Sequence, residues 1–189
     1  LVSMVSHADW AMFCKNGTDA NTIALMIARA HTKRTGVVRA RGAYHGAAPW
    51  SNPRAGGVAP ADQADQHLCD YNDVGGLEAA VAAAGDNLAA IFAAPFKHDV
   101  FVDQAAPTQA FARRARELAD QTGALLVVDD VRAGFRIARD CSWSIVGVEP
   151  DLSCWGKCIA NGHPISALVG ADKARAGAEA IFTTGSYWF

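Results

Sequence analysis

Apolar residues along this chain follow two spacings in turn, and the switches between them outline its elements. "WAMFC" (10–14) is a short apolar run before a glycine turn. Residues 18 to 34 follow, with Ala20, Ile23, Ile27 and Ala30 at helical spacing. The β-branched "VVRAR" (37–41) predicts a strand, and residues 47 to 66, rich in Pro, Gly and Ala, predict a loop. "HLCDY" (67–71) reads as a strand, 74–85 as a helix that Gly85 ends, and "LAAIFAA" (88–94) as a buried strand. Pro107 opens a helix with Phe111, Ala115, Leu118 and Thr122 on one face. "GALLVVDD" (123–130) is the strongest strand signal, and shorter elements follow around 151–155, 165–169 and 181–184. The opening "LVSMVSHADW" reads as the tail of an amphipathic helix.

Near-continuous apolar strands separated by helices imply an α/β fold, a three-layer α/β/α arrangement around a mainly parallel sheet. Ligands in such sheets bind beyond the carboxyl ends of the strands. Chemistry is therefore expected in the residues that follow each strand.

Composition narrows the choice. A chain of 189 residues is long enough for one domain with its own core. With 51% hydrophobic and 19% charged residues it is globular and not disordered. A net charge of −2 leaves no basic footprint, which argues against nucleic acid as a partner. The longest apolar runs, "IALMIA" and "LAAIFAA", are too short to span a membrane. No charged-then-apolar signal segment opens the chain, so the simplest compartment is the cytoplasm. Cys14, Cys69, Cys141, Cys154 and Cys158 are odd in number and form no C-x-x-C pair, so free, buried thiols are expected. Cys154 and Cys158 flank Lys157 at helical spacing, but zinc would need more ligands nearby, and no metal is expected. The start without Met and the aromatic end "TTGSYWF" suggest an internal piece of a longer protein.

Four stretches at strand ends carry possible chemistry. In "KNGTDAN" (15–21), Gly17 permits a tight turn and a helix starts at about Thr18. The unpaired amides and positive dipole end of a helix start suit a phosphate; the alternative is an ordinary Thr cap with Asp19 in the first turn. In "GAYHG" (42–46), Tyr44 can stack on a flat ligand beside His45, or can be a partly buried turn residue. In "LLVVDDVRAGF" (125–135), Asp129 and Asp130 point to opposite faces, so one partner is not expected to use both. They read either as solvent-facing acids or as a functional strand end. An ATPase reading needs G-x-x-x-x-G-K-[ST], whereas the Gly156-Lys157 pair has Asp151 and Cys158 at the outer positions, which excludes it. In "CWGKCIANG" (154–162), Lys157 is the only formally charged residue between Asp151 and Asp172. Its surroundings predict that it is packed inside, where burial favours the free amine needed for a Schiff base or for proton transfer. The alternative is a lysine snorkelling to the surface. Taken together, a phosphate cradle, a stacking aromatic, a strand-end carboxylate and a lysine are what pyridoxal 5′-phosphate needs.

Five stretches in order, "KNGTDAN", "GAYHG", "LLVVDDVRAGFR", "PDLSCWGKCIANGHPISALVG" and "TTGSYWF", resemble the class III pyridoxal-phosphate aminotransferases of fold type I. The likeness is strongest to the branch containing glutamate-1-semialdehyde aminomutase. It implies that Lys157 forms the internal aldimine and moves the proton, and that Asp129 pairs with the pyridine nitrogen. Val131 would pack on one face of the ring and Tyr44 cover the other. Gly17 and Thr18 would bind the phosphate, His45 would support the site, and Ser186 would reach the phosphate of a partner subunit in a homodimer. Three positions depart from the family pattern. Asp130 stands where Glu is usual, Arg132 where many members carry Gln, and Ala94 where a Glu commonly precedes Pro95. That Glu often controls an arginine that handles substrate carboxylates, so glutamate or 2-oxoglutarate is not implied as a partner. Arg132 and Lys97 are equally well read as binders of an acidic substrate or as surface cations.

Family members are longer, with an N-terminal segment lining the site and a C-terminal small domain. Residues 1–189 are thus expected to be a partial cofactor-binding large domain. The expected activity moves an amino group between an amino donor and a keto or aldehyde acceptor. The alternatives are intramolecular transfer, as in the aminomutase, and a non-catalytic α/β fragment with a vestigial site.

Overall fold

The computed structural model of the protein describes residues 1–54, 56–97 and 103–185. Its strands are β1 (Trp10–Cys14), β2 (Gly36–Ala40), β3 (Gln66–Cys69), β4 (Leu88–Ala93), β5 (Leu125–Asp129), β6 (Leu152–Trp155) and β7 (Ser166–Gly170). They form one sheet in the order β1-β7-β6-β5-β4-β2-β3. Pairing is parallel from β3 through β2, β4 and β5 to β6, while β7 runs antiparallel to both β6 and β1. The mainly parallel sheet expected from the apolar runs is therefore present, with an antiparallel margin. The helices are α1 (Gly17–Thr32), α2 (Val74–Ala84), α3 (Gln109–Thr122) and α4 (Arg175–Glu179).

Helices cover both faces of the sheet, which is why β2, β4, β5, β6 and β7 are buried along their whole length. The alternation of side chains along β5 divides the core in two. Leu125 and Val127 join Ile23, Ala24 and Ile27 of α1 on one face. Leu126 and Val128 join Leu77 of α2 and Phe111, Ala115 and Leu118 of α3 on the other. With a period of two residues, Asp129 falls on the α1 face and Asp130 on the α2/α3 face.

Several boundaries differ from expectation, each for a local reason. The first residues form only a 3₁₀ turn at Val2–Met4 and not the end of an amphipathic helix. Beyond it, Ser6 N donates to Asp140 Oδ1 and Asp9 N to Gly170 O, so the backbone is satisfied outside a helix. No strand forms at 181–184. The short helix α4 precedes it, and at Gly177 an added Cβ would lie 2.7 Å from Ile27 O, so α4 packs on the backbone of α1 through a residue without a side chain. Thr108 caps α3, accepting from Phe111 N at 3.3 Å, and Pro107 lies one residue ahead of that cap. Gly85 ends α2 in a positive-φ conformation, as its position in the sequence suggested.

Leu126 is fully buried at the centre of the larger core. Replacing it by Ala is expected to lower unfolding stability by about 2–5 kcal/mol, measured by urea titration, because the surrounding sheet and helices cannot close the cavity.

Candidate functional site

The carboxyl ends of the parallel strands open onto a cavity of about 670 Å³. β1 leads into α1 through Asn16, which is the N-cap and accepts from Asp19 N at 3.0 Å. The helix thus starts at Gly17, one residue before the expected start at Thr18, and the cap is Asn and not Thr. Gly17 and Thr18 supply the first amides of the helix, which have no acceptor within it and carry the positive end of its dipole. Thr18 Oγ1 accepts from Ala47 N at 3.0 Å, keeping its own hydrogen for another acceptor.

The loop after β2 is drawn against this helix start. Gly46 has φ +116, and a Cβ there would sit 2.8 Å from both Cα and Oγ1 of Thr18. A Cβ at Gly17 would lie 2.9 Å from Val131 Cγ1, and one at Gly156 would lie 3.2 Å from the same atom. The three chain segments approach one another through glycines, and Val131 fills the space between two of them.

Asp129 is buried at the end of β5 and receives three donors. Asn21 Nδ2 donates to its Oδ2 at 3.0 Å, His45 Nδ1 lies 2.8 Å from the same oxygen, and Val131 N donates to Oδ1 at 3.2 Å. Protonated at Nδ1, the imidazole of His45 donates to the carboxylate. The ring is itself buried, 4.9 Å from that of Phe92 and stacked parallel to Trp50. His45 therefore stands behind the carboxylate and does not line the cavity.

Lys157 follows β6 after Gly156, in a 3₁₀ turn spanning Lys157–Ile159, with φ 42. It is exposed, not packed inside as its apolar neighbours suggested. Those neighbours belong to the buried strand β6, which ends at Trp155, and the turn carries Lys157 out onto the cavity wall. The two flanking cysteines part in the same way. Cys154 is buried in the strand, whereas Cys158 is exposed and accepts from Arg136 Nε at 2.8 Å. They do not share a helix, and the expected apolar packing holds for Cys154 alone.

Of the residues singled out in the sequence, Gly17, Thr18, Tyr44, Asp129, Val131 and Lys157 line this one cavity. Tyr44 is 56% exposed there. Ser186 lies outside the described residues. Arg132 also lines the cavity, with its guanidinium 5.8 Å from the ring centre of Phe96. Lys97 pairs through its backbone with Ala105. Ala94 is buried, and its carbonyl accepts from Tyr71 Oη and Trp143 Nε1. The residue that sequence reasoning missed is Asn21. It lines the cavity and is 1% exposed. Its signal was available: a polar residue on the buried stripe of α1, one turn after Gly17.

Asp130 turns away from this site. Neither it nor Asp129 is solvent-facing. Its Oδ2 accepts from Ser142 N at 2.7 Å, capping the 3₁₀ turn at Ser142–Val146, and burial pushes its carboxyl up to about 6.

A model of the family described as aminotransferase class-III matches residues 1–180. The chain is 59% identical to an aminopentol aminotransferase of Sphingopyxis macrogoltabida, over 100% of this chain and 44% of that protein. It is 34% identical to a glutamate-1-semialdehyde 2,1-aminomutase of Neisseria meningitidis, over 82% of this chain and 39% of the relative. The fold matches the solved structure of the FumI protein of Sphingopyxis sp. MTA144, in its PLP internal aldimine form, with a TM-score of 0.96 and 59% identity. That match covers 100% of this chain and 45% of the other. The chain thus spans less than half the length of these relatives.

Asp130 gives this end of the sheet a pH signature. Its ordinary value of 3.8 is raised to about 6, so between these values the folded protein keeps a proton that the unfolded chain has lost. Its contribution to stability is therefore fully present at acid pH, falls across that window, and is level above it. At neutral pH the cost is roughly 3 kcal/mol. Asp130→Asn keeps an acceptor for Ser142 N and cannot ionise. It is expected to raise stability at neutral pH and to abolish the difference between acid and neutral urea midpoints that this group contributes.

Proposed function

This chain belongs to the class-III aminotransferase family, and from that premise we propose that it provides most of the cofactor site of a pyridoxal-phosphate aminotransferase. The observation that carries the reading is the meeting of Lys157, Asp129 and the start of α1 on one cavity. The residues present fit the group. The amides of Gly17 and Thr18 would hold a phosphate, the carboxylate of Asp129 would accept from a protonated ring nitrogen, and Lys157 Nζ would hold the aldehyde carbon. Val131 would press on one ring face and Tyr44 cover the other. Glycine at positions 17, 46 and 156 keeps the segments close enough for these groups to share one flat ligand. Bound there, pyridoxal 5′-phosphate supplies an electron sink for the carbon that loses its proton. Lys157 Nζ would take that proton from the amino-bearing carbon of the donor, a role that the residue's position on the cavity wall supports.

In this reading the whole protein moves an amino group from an amino donor to a keto or aldehyde acceptor. The likeness at 59% identity makes an aminopentol the first donor to test. Intramolecular transfer is the second reading, favoured by the 34% identity to an aminomutase, and it predicts turnover of an amino aldehyde without any second substrate. Residues 1–189 are then part of a large domain. Five free thiols fit a reducing, cytoplasmic compartment. A homodimer completes the reading, supported by the family resemblance, and sedimentation of the full-length protein measures it.

The full-length protein reconstituted with pyridoxal 5′-phosphate is expected to be yellow. Lys157→Ala should lose that visible band and lower amino transfer by roughly a thousandfold or more. A colourless wild type that takes up no added cofactor would contradict the reading.

A further inference from the structure

We propose that Asn21 is a positioning residue, which fixes the Asp129 carboxylate so that it can meet the ring nitrogen of the cofactor; the proposal rests on the cofactor reading above. Asn21 touches Asp129 directly, through Nδ2 to Oδ2 at 3.0 Å. That oxygen also meets His45 Nδ1 at 2.8 Å, whereas Oδ1 receives the Val131 amide at 3.2 Å. Both side-chain donors converge on one oxygen, which leaves the other with accepting capacity. The Val131 amide and His45 grip opposite oxygens, and Asn21 adds a second donor to Oδ2 from a separate element, α1, which narrows the tilt of the carboxylate and draws its charge towards that oxygen.

The other end of the amide shows that packing does not account for it. Asn21 Oδ1 is buried and has no hydrogen-bond partner among the described residues. A buried acceptor left unpaired weakens a fold. Ala20, Ile23 and Ala24 surround the position on the buried stripe of α1, where an apolar side chain would suit the fold better. The amide is present at a loss to stability, and what it supplies is the donor to Asp129.

Its place on the helix adds a geometric consequence. Asn21 comes four residues after Gly17, one turn along the inner side of α1. The helix whose first amides suit a phosphate therefore also sets the carboxylate meant for the far end of the same ligand. Both ends are referenced to one rigid element and not to two independently moving loops.

The test uses the full-length protein stripped of cofactor, with Asn21→Ala and Asn21→Leu. The leucine variant keeps the branched outline and the number of heavy atoms and fits the apolar stripe, so it remains measurable where the alanine variant folds poorly. Two probes are titrated by absorbance: pyridoxal 5′-phosphate and 1-deazapyridoxal 5′-phosphate, in which a C–H replaces the ring nitrogen. The wild type is expected to prefer the nitrogen compound. Each variant should lose about tenfold or more in affinity for pyridoxal 5′-phosphate and little for the deaza compound, so that the preference collapses. An equal loss for both compounds would mark Asn21 as merely structural and overturn the proposal, as would an unchanged preference. A wild type that binds neither probe would overturn the cofactor reading itself, and that result is seen before any substitution is made.

Discussion

A carboxylate buried at the end of a buried strand has to be given hydrogen-bond donors, and much of this structure follows from how Asp129 receives them. Leaving such a group unpaired would cost more than most single contacts return. The donors come from α1, from the loop after β2 and from the backbone just beyond β5. Meeting that one requirement fixes the register of α1 on the sheet and draws the 42–47 loop down over the helix start. It also buries an imidazole beside Trp50 and Phe92, where an uncompensated polar ring would not otherwise belong. The sheet supplies the position of the acid, and the acid organises what surrounds it.

The convergence is possible because backbone meets backbone. Gly17, Gly46 and Gly156 come from three different segments; a side chain would collide with Val131 at Gly17 and with Thr18 at Gly46, and would crowd Val131 at Gly156. Gly46 also adopts a positive φ, which only glycine takes without strain. With no side chains between them, the helix start, the aromatic loop and the lysine turn come close enough to bound one cavity. Lys157, itself at positive φ, is held on the wall by a turn that Ala160 N closes onto its carbonyl at 3.1 Å.

The layout was legible in the sequence where the apolar period was clean. β5, β4, α1 and α3 were read from runs and stripes whose burial the structure repeats. The period failed where elements were short: five residues of α4 with a central glycine, or a single turn at the start, hold too few positions to show a stripe. At the site, the residues next to glycines and strand ends were legible because turn chemistry marks them. Asn21 was missed because it sits inside a helix, where its polarity reads as an ordinary interruption of the stripe. The sequence left Lys157 open between a packed amine and a surface cation because its apolar neighbours belong to the strand before it, and a sharp turn separates the two environments.

The two acids that end β5 show how far one strand can divide its consequences. Asp129 faces the cavity and is given donors. Asp130 faces the opposite layer and caps the turn that begins at Ser142, and its other oxygen has no hydrogen-bond partner among the described residues. That turn carries Trp143, fully buried, whose indole donates to the carbonyl of Ala94. Asp130 and Ala94 are also two of the positions that the sequence reading marked as departures from the resemblance. Both departures therefore meet in one packed region behind the sheet, around a single tryptophan, and neither residue lines the cavity. Of the three positions so marked, Arg132 is the one that lines the cavity, so a difference in what the cavity holds would enter there and not in the packed region around Trp143.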